Sequence, residues 1–129
     1  AGWKREFDLP DLQRRESAKQ LQGVIVQTTA LLRRMVEETR AIGLRPVLMI
    51  PPVSAVLNRK VSSEFVDEVL YRPLREQFSD VPLLDYMSDE RFQDYRLYQN
   101  GDFMNAEGRK AFMPVLWHDI QRCIGKKDL

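Results

Sequence analysis

Residues 46–54 read PVLMIPPVS, from Pro46 to Ser54. Val47 to Ile50 is an unbroken apolar run of strand length, and Pro51-Pro52 stops it. A strand with one wet face alternates apolar and polar residues, whereas one covered on both faces does not. The run therefore predicts a strand buried on both sides, as in a parallel sheet. A parallel sheet needs crossover helices, so the flanking sequence should be helical.

It is, on both sides. From about Ser17 to Ile42, the residues Leu21, Val24, Ile25, Thr28, Leu31, Leu32, Met35, Val36 and Thr39 recur at three- and four-residue steps. Gly43 follows as a helix stop, because glycine takes positive φ without steric cost. Downstream, Ser62 or Ser63 caps a second helix, SSEFVDEVLYRPLREQF. Its apolar face is Phe65, Val66, Val69, Leu70, Leu74 and Phe78. Pro73 lies inside it and predicts a kink or break near Tyr71. VPLLDYM, residues 81–87, is a second short strand. SDERFQDYRLYQNGDFMN then reads as loop with one helical turn. A last helix runs from about Ala106 to Cys123, with Phe112, Val115, Leu116 and Ile120 inward.

The order α-β-α-β-loop-α is an α/β alternation with two short parallel strands and three main helices. Two strands make a thin sheet with open edges. Either an upstream domain or a second copy is expected to complete it. The expected organisation is an N-terminal arm over 1–16, one α/β domain over 17–124 and a tail over 125–129. The arm carries Trp3, Phe7, Leu9 and Leu12 around Pro10 and is expected to pack by its aromatics.

Composition narrows the class. The 129 residues are 43% apolar and 30% charged, which suits one soluble globular domain. Twenty basic and nineteen acidic residues give a net charge of +1 and are spread along the chain, so no nucleic-acid footprint is expected. No apolar run has the length of a membrane span, and no basic-then-apolar signal sequence stands at the start. Cys123 is the only cysteine and His118 the only histidine. This leaves no internal disulfide and no Cys-rich metal site, and one candidate at most for a His-based zinc or Ser-His-Asp site; no cofactor is expected. Reduced cytoplasmic and disulfide-free exported settings both stay open.

Residues 99–113, QNGDFMNAEGRKAFM, carry a second signal. Together with the order of strands and helices from about Leu31 to Ile120, they resemble the C-terminal half of an SGNH/GDSL-type hydrolase. The family's D-x-x-H-L-N-x-x-G block completes a Ser-His-Asp triad there. The resemblance implies a partial SGNH-like (flavodoxin-like) three-layer fold. Within the family, the chain is most similar to cell-envelope proteins related to the D-alanine transfer proteins of teichoic acid modification. That implies a parent protein that hydrolyses or transfers an acyl ester, a glycan or wall-polymer ligand, and a bacterial envelope or exported location.

Carried over residue by residue, the block keeps its shape and loses its chemistry. Asn105 and Gly108 match the asparagine and glycine, and Met104 fills the apolar slot. Phe103 stands at the histidine and Asn100 at the aspartate. Phenylalanine has no titratable proton, and asparagine has no charge to stabilise an imidazolium. A second alignment sets Asp102 as the aspartate and Asn105 as the histidine; it also lacks a base and breaks the N-x-x-G match. No G-D-S-like turn occurs in the 129 residues. No catalytic residue is therefore assigned.

The candidate binding positions are Asn100, Asp102, Phe103 and Asn105, with Asp85 at the end of the second strand, where α/β folds place ligands. Each has a plainer reading. Asn100, Asp102 and Asn105 suit turns and caps, and Asp85 suits the loop backbone. Phe92, Tyr95, Tyr98 and Phe103 suit either a ligand platform or loop anchors. His118 lies about three turns beyond Asn105, roughly 15 to 20 Å along the helix axis, and reads as a surface residue beside Trp117. Ser54 reads as a turn serine, and Arg33 and Arg34 as a solvated helix face. The rival to an envelope hydrolase module is a non-catalytic binding or assembly module on the same scaffold.

Overall fold

A computed structural model describes residues 15–125. Helix α1 spans Arg15–Ala41. It ends as the sequence expects: Gly43, at φ +83°, donates its N–H to the Arg40 carbonyl at 3.0 Å, and Leu44 donates to Thr39 at 3.1 Å. These paired bonds satisfy the last free carbonyls of the helix. The chain turns into strand β1, Leu48–Ile50, which pairs in parallel with β2, Leu83–Asp85.

The crossover between the strands is helical. Ser54 caps a short helix α2, Ala55–Asn58, which has no periodic signal in the sequence. Ser62 caps α3, Ser63–Val66, by accepting the Phe65 N–H at 3.1 Å. The kink or break expected near Tyr71 takes the form of a change of helix type. The helix widens into a π segment, Asp67–Tyr71, and continues as α4, Arg72–Gln77. The Arg72 N–H reaches back to the Asp67 carbonyl, one residue farther than in an α-helix. The added residue admits Pro73, which lacks an N–H of its own, without ending the helix.

After β2 come two 3-10 turns, Glu90–Phe92 and Tyr95–Leu97, where one turn was expected. Helix α5, Ala106–Ile124, then runs unbroken through Pro114, which lies on its exposed face.

The register pairs Leu48 with Leu83 and Met49 with Leu84, so Leu48 and Leu84 point to opposite faces of the sheet. Each face has its own core. Leu48 packs with Val36, Phe78, Val81, Leu32 and Leu74 from α1 and α4. Leu84 packs with Tyr86, Phe92 and Phe112 against α5. There the Phe112 ring meets Tyr86 and Phe92 edge-on, at 4.9 and 5.2 Å between centroids. The molecule is thus mixed α/β and mostly helical, with two short parallel strands.

Three expectations are corrected. The strands are not buried on both faces: Met49 is 41% and Leu83 39% exposed, because in a two-strand sheet each strand is an edge with no neighbouring strand to shield its outer side. In α1 only one side of the apolar set turns inward. Val36 is buried, whereas Val24, Leu31 and Met35 are exposed. Arg33 is not simply solvated: it holds Asp80, at the entry to β2, with two bonds of 2.8 and 2.7 Å, and Arg40 adds a third at 2.8 Å. The expected arm over 1–16 and the tail over 125–129 fall almost wholly outside the described residues. No helix among the described residues is long and apolar enough to cross a membrane.

Candidate functional site

Residues 97–108 form a closed unit at the start of α5. Tyr98 and Met104 make an antiparallel bridge, and the Gln99 N–H donates to the Phe103 carbonyl at 2.7 Å. Inside this narrow loop the Asn100 side-chain oxygen accepts the N–H groups of Asp102 and Phe103, at 3.2 and 2.9 Å. Such an Asx turn needs a short side chain with an acceptor oxygen, which either asparagine or aspartate provides. Asp102 is exposed at the tip, and Phe103 turns outward, 65% exposed.

Asn105 faces the other way. Its oxygen caps α5 by accepting the Gly108 N–H at 2.9 Å, and its Nδ2 donates to the Arg96 carbonyl at 2.7 Å. The Asn105 N–H holds the Leu97 carbonyl at 2.9 Å. That carbonyl lies so close to the helix that a Cβ on Gly108 would sit 2.1 Å from its oxygen. The N-x-x-G spacing therefore has a physical reason: the asparagine caps the helix, and the glycine leaves room for the backbone that the cap draws in.

The loop is tied to the end of β1 through Ser54. This serine is 2% exposed; its hydroxyl donates to the Gly101 carbonyl at 3.1 Å and accepts the Leu57 N–H at 3.4 Å. Both partners are backbone, so the hydroxyl is a cap, and among the described residues no side-chain base bonds to it. Tyr98 anchors the loop from below, its hydroxyl donating to the Phe92 carbonyl at 2.5 Å; burial pushes that phenol up to about 12. Of the four loop aromatics, Phe92 and Tyr98 are anchors, and Tyr95 and Phe103 are exposed.

Asp85 stands apart from this unit. It ends β2 and accepts the Tyr71 hydroxyl at 2.7 Å and the Met87 N–H at 3.0 Å. Burial first, then the Asp85 carboxylate, pushes the Tyr71 phenol up to about 12, so it is a proton-holding donor at neutral pH. Tyr71 and Met87 line an open cleft of about 670 Å³ with Asn58, Val61 and Ser88, and no residue of the 100–105 loop borders it. The structure thus joins Asn100, Asp102 and Phe103 in one turn, sets Asn105 beneath them and leaves Asp85 apart, bonded to two residues that border another cleft.

Two polar residues that sequence reasoning missed organise this end of the molecule. Gln93 donates from Nε2 to the carbonyls of Val53, Met87 and Asp89, at 3.2, 3.3 and 3.0 Å, and accepts from Asn58 at 2.9 Å. One side chain thereby pins the segments leaving both strands. Tyr86, on the core under α5, donates to Asp119 at 2.7 Å. A glutamine in an irregular segment and a tyrosine just past a strand carry no periodic signal for these bonds, so neither role is legible in the sequence. His118 is exposed on α5, next to the Asp119 that Tyr86 occupies. Among the described residues no three His, Cys, Asp or Glu side chains converge as metal ligands do. No family model matches the chain, and no curated protein or solved structure shows significant similarity to it.

Proposed function

We propose that the chain is the C-terminal module of an SGNH-like cell-envelope acyl-ester hydrolase or acyltransferase, and that it is not catalytic on its own. The observation that carries this reading is the 97–108 unit. Its Asx turn, outward residue 103, cap and close-approach glycine support the reading, with Asn100 and Phe103 at the positions that the resemblance gives to the family's aspartate and histidine. Helices against both faces of a parallel strand pair suit a part of the three-layer SGNH arrangement. The acyl-ester chemistry and the envelope setting rest on the sequence resemblance.

The loop has lost the base and the charge, and the serine nearest to it is engaged by backbone. Without a proton acceptor the serine hydroxyl stays a weak nucleophile. The test is hydrolysis of p-nitrophenyl acetate by the 129-residue chain, beside His118→Ala and Ser54→Ala. The expected result is the buffer rate for all three. Turnover well above buffer that either substitution abolishes would overturn the reading.

A further inference from the structure

We propose that two copies of this chain associate through the outer edge of β1, pairing the two β1 strands antiparallel about Met49. The backbone sets the register. The Leu48 N–H donates to the Pro82 carbonyl at 2.9 Å, and the Ile50 carbonyl accepts the Tyr86 N–H at 3.0 Å. Leu48 and Ile50 thus turn their peptide groups toward β2, and Met49 between them turns its N–H and C=O the other way. Among the described residues no third strand lies on that side.

Helix α1 extends the same edge. Arg33 and Arg40 point to Asp80 and so hold one flank of α1 over the entry to β2. At 100° per residue, Leu31, Met35 and Ile42 lie about half a turn away, on the flank that overhangs the free edge of β1. They are 59%, 54% and 73% exposed. With Val24, Leu44 and Met49 they expose on the order of 600 Å² of apolar surface, against ~800 Å² per partner in a standard interface. Arg34 and Glu38 border the stripe and neutralise each other at 2.9 Å, so two copies meet without like-charge repulsion.

A two-fold axis through Met49, normal to the sheet, satisfies both features at once. Strands ~4.8 Å apart leave room for the two α1 helices to lie side by side on one face, stripe against stripe, at the 8–10 Å of packed helices. Met49 faces its own counterpart as a hydrogen-bonded pair, and each Val47 N–H reaches the second copy's Pro51 carbonyl. Pro51 has no N–H to give in return, so pairing stops there and does not propagate. The result is a closed, isologous four-stranded sheet, β2-β1-β1-β2.

Light scattering after size exclusion, at about 100 µM, is expected to give twice the chain mass. Leu31→Glu and Met35→Lys, at exposed helix positions, are expected to give the single mass with unchanged circular dichroism. In a Cys123→Ser background, mild oxidation of Met49→Cys should yield a covalent dimer, because residues opposed about the axis lie within disulfide reach. Val26→Cys, on the other flank of α1, should not. A strict monomer at that concentration overturns the proposal. So does a dimer that survives both stripe substitutions or cross-links through Val26→Cys as readily as through Met49→Cys.

Discussion

Gly108 is the residue at which sequence and backbone meet most tightly. Its missing side chain lets the Leu97 carbonyl approach α5, and the carbonyl in turn anchors the Asn105 N–H. Gly108→Ala would place a methyl 2.1 Å from a backbone oxygen that cannot rotate away. We expect it to cost about 2–3 kcal/mol or more, read from urea unfolding. Gly23, inside α1 with nothing within 4 Å of a built Cβ, is the control. Gly23→Ala should raise stability by about 0.5–1 kcal/mol, since alanine costs less backbone entropy in a helix. Equal effects from the two substitutions would remove the structural reason for the N-x-x-G spacing.

At the scale of elements, the junction of α1 with β2 depends on Asp80. Its hydrogen bonds to Arg33 and Arg40 hold the Asp80 carboxyl well below the usual carboxylate range. A depressed folded-state pKa means the contribution is complete above the unfolded value of about 4 and fades as pH falls through the folded one. Asp80→Asn should therefore lower the melting temperature by a few degrees at pH 7. The difference from the unmodified chain should shrink steadily below about pH 4; a gap independent of pH would assign the loss to packing.

The elements are largely legible in the sequence, for identifiable reasons. The Gly43 stop, the Ser62 cap and the short strand ending at Pro51 each follow from one residue's local chemistry. What was not legible depends on neighbours distant in sequence. Periodicity could not say which flank of α1 is wet, because Leu31 and Met35 are as apolar as Leu32 and Val36. Pro73 signalled strain, but not that a π turn would absorb it. The candidate site was legible as a turn and a cap, since Asn100 and Asn105 act on their own backbone. That Asp85 accepts from Tyr71, away from the 97–108 loop, required the fold.

For the molecule as a whole, a pair of strands carries two cores, one per face, and Gln93 ties their exits together. On the proposed reading, the 97–108 unit sits on that frame as a support without the charged and proton-carrying groups of the family it resembles. The most direct test of that account restores the groups and asks whether they meet. Proton NMR titration of Phe103→His should be compared with that of Asn100→Asp/Phe103→His. If the loop is built for an acid–histidine pair, the introduced histidine titrates about one unit higher when the aspartate is present, because an adjacent carboxylate favours the imidazolium. Identical titrations in the two variants would contradict it.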